Sequence, residues 1–320
     1  MKTALAPYVR ILGRGANLSR SMTLEEAQEA MEIVLRGEAA PEAIGAMLML
    51  MRMKGETAEE IAGFVRAART VAPAVGFAAL DWPSYAAGRT RGLPWFLLSA
   101  KLVASAGHPV LMHGWNSHQN PVASVRDALP KIGIPTLQSR NFGELDGNIG
   151  YLPLEVFSPE LFDLLRLRDV FNLRSCVNTV LRVLNPASAR ASVQGVFHPP
   201  YRELQQDAGR ILGQEAMTVL KGGGGEFERH PAKEAALFGL RGGEAWEGKA
   251  PALVDEHVRL AEGAETADPA ALAGLWAGEY EDPFALSIVL GTAEIAFQTL
   301  GADVNVGDLW AARDRNITPL

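Results

Sequence analysis

Apolar residues recur at helical spacing through residues 27–65, and the residues between these runs are typical of helix ends. Ser21 or Thr23 can cap the first helix, and Thr57 with Glu60 has the spacing of a capping box before a third. The pattern predicts three consecutive helices whose apolar faces include Ala27, Ala30, Met31, Val34, Leu35, Ile44, Met47, Leu48, Met51, Ile61, Phe64 and Val65.

From about residue 80 the pattern changes to short apolar runs that alternate with longer helical ones. The runs predict strands at residues 109–112, 193–197 and 216–220, and helices at residues 97–106, 122–131, 159–168, 201–212 and 284–300. This alternation favours an α/β fold with a mainly parallel sheet. Because Pro73 and the small residues after it look like a linker, we expect a helical domain over residues 1–75 and an α/β domain over residues 76–320.

The composition adds constraints on compartment and charge. Cys176 is the only cysteine, which excludes an internal disulfide and fits a reducing cytoplasm. No uninterrupted apolar run reaches the roughly 18 residues of a membrane span, and the first residues lack a signal-peptide pattern, so we expect a cytoplasmic protein without a membrane partner.

The net charge of −7 is uneven, with a balance of +2 over residues 81–230 and −9 over residues 231–320. We therefore expect an anion to bind in the middle stretch.

Several motifs, in order along the chain, resemble the anthranilate phosphoribosyltransferase family, whose fold is that of glycosyltransferase family 3. They are LSRSMTLEEA at residues 18–27, GAMLMLMRMKGETAEEI at 45–61, SAGHPVLMHG at 105–114 and VNTVLRVLNP at 177–186. The last is similar to the family's Phe-Asn-Leu-Leu-Gly-Pro-Leu-Thr-Asn-Pro segment. The resemblance implies a nucleoside phosphorylase/phosphoribosyltransferase-like fold, in which a helical segment around residues 157–175 joins the small helical domain, and a homodimer formed through the helical domains.

The family's phosphate-binding loop is altered in this chain. The family has Gly-Thr-Gly-Gly-Asp-Gly, in which glycines let backbone N–H groups approach phosphate oxygens. The corresponding residues 87–95 are AGRTRGLPW. Gly88, Thr90 and Gly92 remain, whereas Arg89 and Arg91 are new and the acidic residue is absent.

The family's pair of metal-binding acids is also altered. An Asp-Glu pair holds Mg²⁺ on the diphosphate in the family, because this cation prefers hard oxygen ligands. In the matching segment, LKGGGGEFER at residues 220–229, the aspartate becomes Phe227 while Glu228 is retained. Glu226 can replace the aspartate only if the loop shifts. We therefore predict no metal cofactor, with a Mg²⁺ site at Glu226 and Glu228 as the alternative.

Other substrate positions are only partly kept. Arg168 aligns with the arginine that meets the anthranilate carboxylate in the family. The family's Lys-His-Gly-Asn-Arg turn is MHGWN at residues 112–116, so His113 remains and Asn116 follows, while the lysine and arginine are lost. His113 is also interpretable as a histidine satisfied by hydrogen bonds at a strand end.

The residues that the resemblance places around the cleft are mostly cationic, with Arg166 and Arg182 among them, which indicates a cleft adapted to polyanions. The pattern is similar to that of the YbiB-type branch of the family, which lacks the substrate-binding motifs and binds DNA or RNA without evident sequence preference. We therefore predict a non-catalytic, sequence-nonspecific nucleic-acid-binding protein, with Trp95, Trp115 and Tyr151 available to stack on bases if exposed. The predicted contacts are Arg89, Arg91, Lys101, Arg168, Arg174 and Lys221.

Two alternatives stay open. The first is an active Mg²⁺-dependent phosphoribosyltransferase acting on anthranilate or a related aromatic acid, with Gly88, Thr90, Gly92, His113, Asn116 and Arg168 as substrate residues and Glu226 and Glu228 on the metal. The second is a sensor of small anionic ligands that uses the same cleft.

Overall fold

The computed structural model describes residues 2–15, 17–72, 76–85, 92–115, 124–255 and 268–317. The N-terminal part contains four helices: α1 (Ala6–Gly13), α2 (Leu24–Leu35), α3 (Pro41–Lys54) and α4 (Ala58–Val71). Thr23 and Thr57 both form capping boxes, with Glu26 and Glu60 respectively, so the helix starts predicted at these positions are confirmed.

The rest of the described chain forms a seven-stranded sheet and the helices around it. The strands are β1 (Leu80–Ser84), β2 (Val110–Gly114), β3 (Ile149–Pro153), β4 (Ala191–Val196), β5 (Ala216–Lys221), β6 (Ala235–Arg241) and β7 (Glu244–Ala250). Their order is β3-β2-β1-β4-β5-β6-β7. The first five strands in this order are parallel, β6 is antiparallel to β5, and β7 is antiparallel to β6. The predicted α/β class with a mainly parallel sheet is therefore confirmed.

The helices of this part are α5 (Phe96–Ser105), α6 (Val125–Ala128), α7 (Leu154–Phe157), α8 (Pro159–Phe171), α9 (Val177–Val183), α10 (Tyr201–Ile211), α11 (Ala270–Ala277), α12 (Pro283–Leu300) and α13 (Val306–Ala312). The helix expected over residues 122–131 is shorter than predicted. After α6 the chain tightens into a 3₁₀ turn at Pro130–Ile132, because proline lacks the N–H that would continue the α-helix.

Two large apolar clusters lie in the molecule. One joins α2, α3 and α4 to α8 and α9, and includes Met47, Phe64 and Leu161. The other fills the space between the sheet, α5 and α12, with Trp82 and Phe297 among its buried residues. By length and composition α12 is apolar enough to cross a membrane, but most of its length is buried among the sheet and α5, as in the core helix of a globular protein.

The pairing of β1 with β4 ends before the carboxyl edge of the sheet, and β1 contains a proline there. β1 pairs with β2 along its whole length, but pairs with β4 only at Leu80 and Asp81. Pro83 follows and has no N–H to donate to a neighbouring strand. The chain order also changes direction between β1 and β4. Open parallel sheets bind ligands at such switch points, outside the carboxyl ends of the strands.

Candidate functional site

A buried polar network lies under this crevice. His113, the fourth residue of β2, places Nε2 3.0 Å from Asp81 Oδ1, and its Nδ1 lies 2.9 Å from the Tyr85 hydroxyl. Ser192 donates to the other Asp81 oxygen at 2.8 Å. Burial, above all, raises the pKa of Tyr85 well beyond its ordinary value, so this phenol stays protonated. Nδ1 of His113 therefore has a hydrogen-bond partner in the chain, whereas the close contact between its Nε2 and Asp81 Oδ1 lacks hydrogen-bond geometry.

Two glutamates lie beside this network in the turn after β5. Ser84 donates to Glu226 Oε1 at 3.0 Å, and the Phe96 N–H donates to Glu228 Oε2 at 3.0 Å. Their side chains are 0 % and 1 % exposed. Glu228 thus lies at the first residue of α5, where the helix dipole favours a negative charge.

The same two glutamates are the candidate Mg²⁺ ligands, and their environment does not fit a metal that carries a diphosphate. Each carboxylate already accepts a hydrogen bond from the chain, and neither is open to solvent. Mg²⁺ keeps several waters and binds through accessible carboxylate oxygens. Within the described residues there is also no group of three or more His, Cys, Asp or Glu side chains that could hold a metal ion.

Close backbone packing fixes this turn against β4. A methyl group added at Gly195 would lie 2.0 Å from the carbonyl carbon of Glu226, and one added at Gly222 would lie 1.7 Å from its oxygen. Phe227, between the two glutamates, is fully buried and meets Trp82 edge to face at 5.3 Å. The glutamates therefore stand on a rigid turn.

Arginines converge on a pocket of about 320 Å³ between the helical part and the carboxyl ends of the parallel strands. Arg52, Arg174 and Arg182 line it. Arg52 donates to the carbonyl oxygen of Arg174 at 2.7 Å, and Arg182 donates to that of Tyr85 at 3.1 Å. A carboxylate on the pocket wall, that of Glu56, accepts from a tyrosine hydroxyl at 3.2 Å. We call this the arginine pocket.

Burial is the largest influence on the arginine charges here. It lowers the pKa of Arg182 to about 10, although the nearby Glu226 opposes this shift. It also lowers the pKa of Arg174 and Arg168, and each of these pKa values falls further because another guanidinium lies near, Arg52 in the first case and Arg174 in the second. Arginines that disfavour one another's charge favour an anion placed between them.

A second cationic pocket, of about 300 Å³, lies beside the first. It is lined by Arg202, Lys221, His230 and Lys233, and we call it the lysine pocket. Burial, and secondly Lys233, lowers the pKa of His230. In the sheet, Lys221 is the register partner of Val196, which lines the arginine pocket. One residue of each pocket therefore lies opposite the other on neighbouring strands, whose spacing is roughly 4.8 Å.

The structure brings together only some of the residues chosen from the sequence. Arg174 lies in the arginine pocket, Arg168 lies near it, and Lys221 lies in the lysine pocket. Lys101 lies elsewhere, because its amine donates to the Ile132 carbonyl and sits 5.0 Å above the Trp276 ring. Gly92 takes a left-handed conformation, with φ 74°, just before α5. Gly88, Arg89, Thr90, Arg91 and Asn116 lie outside the described residues.

Arg182, which the family resemblance already places around the cleft, lines the arginine pocket and occupies the sixth position of the segment at 177–186, where the family motif has proline. Other residues of these pockets were not predicted from the sequence. Trp95, Trp115 and Tyr151 are buried, so the condition for their stacking on bases is not met. Phe197 is instead the aromatic residue on the arginine pocket, and it is 46 % exposed. Arg52, Arg202, His230 and Lys233 reach the pockets only through the tertiary fold.

The helical part and the α/β part are both similar to those of one glycosyltransferase family. Residues 6–72 match the family described as "Glycosyl transferase family, helical bundle domain". The whole fold is similar to the crystal structure of anthranilate phosphoribosyltransferase from Thermus thermophilus, with a TM-score of 0.76 and 23 % identity over 96 % of this chain and 92 % of that one. A yeast anthranilate phosphoribosyltransferase in complex with PRPP and Mg has a TM-score of 0.73 at 14 % identity, over 97 % of this chain and 92 % of that one.

Sequence similarity narrows this class. A protein of Solibacter usitatus named anthranilate phosphoribosyltransferase is 31 % identical over 253 residues, which cover 75 % of this chain and 72 % of that protein. The chain therefore belongs to the anthranilate phosphoribosyltransferase family. A protein of the same name from Methanosarcina acetivorans is 32 % identical over 68 % of this chain, and an uncharacterized Aquifex aeolicus protein is 30 % identical over 66 % of it. The matched segments span 59 % and 66 % of these two relatives, less than two thirds of their length.

Proposed function

We propose that this protein binds the phosphate backbone of nucleic acid along the arginine and lysine pockets, without sequence preference and without phosphoribosyl transfer. The observation that carries the proposal is the half-buried Arg182. Among the described residues no carboxylate lies within ion-pair distance of its guanidinium. A partly desolvated cation without a carboxylate at ion-pair distance is costly, and a phosphate oxygen relieves that cost through charge-assisted hydrogen bonds.

The adjacent pockets favour a polymer over a single small anion. One phosphate can occupy the arginine pocket, and a neighbouring phosphate can meet the cations of the lysine pocket. One of these, Lys221, is the register partner of Val196 on the wall of the arginine pocket. Phe197, on the wall of the arginine pocket, offers a ring on which a base can stack. A row of cations beside an exposed aromatic ring is the usual arrangement for single-stranded nucleic acid.

The buried carboxylates support the absence of transfer. Family catalysis needs acids that hold Mg²⁺ on the diphosphate, whereas Glu226 and Glu228 here hold Ser84 and the start of α5. We therefore propose that the turn after β5 has a structural role. We also propose a cytoplasmic homodimer, to be tested by sedimentation velocity.

The test is fluorescence anisotropy with labelled oligonucleotides of unrelated sequence, at several salt concentrations. We expect similar affinity for every sequence, and a logarithmic salt slope that falls by about 0.7 to 0.9 for each phosphate contact removed. Lys221→Gln and Lys233→Gln each remove one exposed cation of the lysine pocket. The matched control is Arg210→Gln, at the far end of the helix that begins beside Arg202.

Two results would count against this proposal. If both lysine variants keep the wild-type slope, the lysine pocket does not contact phosphates. If the wild-type protein binds mononucleotides as tightly as oligonucleotides, the ligand is a small anion. The double variant Arg89→Ala/Arg91→Ala tests, in the same assay, the part of the prediction that lies outside the described residues.

Phosphoribosyl transfer is the second candidate. The names of the relatives favour it, as does the position of both glutamates at the carboxyl edge of the sheet. In this candidate Arg168 would meet the carboxylate of an aromatic acid. Release of pyrophosphate from phosphoribosyl pyrophosphate with anthranilate and Mg²⁺ measures it directly. Turnover above that of a Glu226→Gln/Glu228→Gln control would replace the non-catalytic proposal.

A further inference from the structure

A cavity of about 590 Å³ opens at the amino edge of the sheet, on the side opposite the arginine pocket. It lies where β1, β4 and β5 begin, and the last turn of α12 closes one side of it. Eight of its nineteen lining residues are alanine, serine or glycine, so the strands start without side chains that would fill the space. The volume lies within the range of small-molecule sites, which is roughly 300–1,000 Å³.

The walls of this cavity are aromatic and apolar. Phe77 is 68 % exposed at its rim, and the half-buried Trp246 forms another wall. An exposed phenylalanine at the mouth of a concave apolar site is unfavourable in water, and a bound ring would cover it. These surfaces favour a flat apolar ligand.

The charges around the cavity are not balanced. Arg190 is neutralised at the rim by Glu215, at 2.6 Å. Arg241 has no acidic partner among the described residues, and its guanidinium lies 5.2 Å from the centroid of the Trp246 ring. The side-chain amide of Gln298, also on the wall, makes no hydrogen bond within the described part of the chain. The cavity wall therefore carries the unpaired positive charge of Arg241, the open amide of Gln298 and the imidazole of His108.

The orientation of a ligand follows from the last turn of α12. The C-terminal end of a helix carries partial negative charge and repels an anion. Leu300 and Gly301 of that turn line one side of the cavity, and Arg241 lines another. An anionic group is thus expected at Arg241, with the apolar part of the ligand toward Leu300.

We propose that this cavity binds a small aromatic monoanion, such as an aryl carboxylate, with its ring between Phe77 and Trp246 and its charge on Arg241. A single unpaired cation sets the preference for one negative charge. The site is independent of the proposed nucleic-acid surface, because it lies at the other end of the strands.

The test is isothermal titration calorimetry with 1-naphthoate and with its neutral analogue 1-naphthamide. We expect Arg241→Gln to weaken naphthoate binding about tenfold, the effect of one charge-assisted contact, and to leave naphthamide binding nearly unchanged. Ala216→Leu, at the start of β5, should abolish the binding of both compounds by filling the space. Lys249→Gln is the matched control, because it removes an exposed cation of the same hairpin that lies outside the cavity wall.

Phe77→Ala provides a second measurement that does not depend on whether the fold tolerates Ala216→Leu, since an exposed side chain contributes little to folding. This substitution should weaken the binding of both compounds. The proposal is overturned if naphthoate does not bind at millimolar concentration, or if Phe77→Ala and Arg241→Gln both bind it as the wild type does.

Discussion

Substitution of Glu228 distinguishes between two roles of its carboxylate, a structural contact to α5 and a metal ligand. Its Oε2 accepts the Phe96 N–H at 3.0 Å, at the first residue of α5. A hydrogen bond to a charged group contributes about 1.5–3 kcal/mol, and a charge at a partly buried helix N-terminus contributes up to about 2 kcal/mol. These contributions overlap, so we expect Glu228→Ala to lower the free energy of unfolding by about 3 kcal/mol.

Glu228→Gln should have a smaller effect. A glutamine oxygen can still accept the Phe96 N–H, so only the difference between a charged and a neutral acceptor is lost, about 1 kcal/mol. Urea unfolding followed by circular dichroism measures both values. The experiment is run with and without excess Mg²⁺, because a ligand that binds only the folded state raises its stability.

Either of two outcomes would contradict a structural role for the Glu228 carboxylate. One is that both variants unfold within about 0.5 kcal/mol of the wild type, the range of ordinary surface substitutions. The other is that Mg²⁺ stabilises the wild type but not Glu228→Gln, since this would make the carboxylate a metal ligand.

Three further predictions concern the same part of the molecule. Gly195→Ala should destabilise the fold by about 1–3 kcal/mol in urea unfolding, because its methyl group would overlap the Glu226 backbone. Gly143→Ala, which has open space around it, is the control and should have little effect. Burial raises the pKa of the Cys176 thiol well above its ordinary value, so a thiol reagent should modify it only after unfolding; rapid reaction of the native protein would contradict this. The pKa of His230 is lower in the folded state than its ordinary 6.5, so the unfolded chain binds the proton more readily, and stability should fall as the pH drops below about 6.5. A pH series of unfolding curves should show a larger loss of stability on acidification in the wild type than in His230→Gln.

The helical part was predictable because its signals are local. A capping residue, a glutamate three positions on and apolar residues at helical spacing all lie within one or two turns of chain. The β6–β7 hairpin was missed although it has a local signal. Gly242 and Gly243, with φ 59° and 80°, form the two-residue Gly-Gly turn that joins adjacent antiparallel strands.

The candidate site was only partly predictable because its residues meet across long sequence separations. Arg52 and Arg174 are 122 residues apart and meet because α3 and the segment after α8 border the same pocket. Asp81 becomes the partner of His113 only through the parallel pairing of β1 and β2. Motif comparison found Lys221 because it lies in a segment similar to the family, and Arg174 because it is close in sequence to Arg168; Lys233 lies beyond those segments.

The two proposed sites should act independently, and the sheet explains why. β4 begins at Ala191, on the amino-edge cavity, and ends at Val196, on the arginine pocket. Five steps of about 3.3 Å separate these residues by about 16 Å, farther than the 7–10 Å within which substitutions usually couple. Saturating naphthoate should therefore leave oligonucleotide affinity unchanged. For each ligand, the change in binding free energy in the double variant Arg241→Gln/Lys221→Gln should equal the sum of the changes in the two single variants. A change in oligonucleotide affinity on adding naphthoate to the wild type, absent in Arg241→Gln, would instead require a coupling free energy between the two edges and a strand that shifts between two positions.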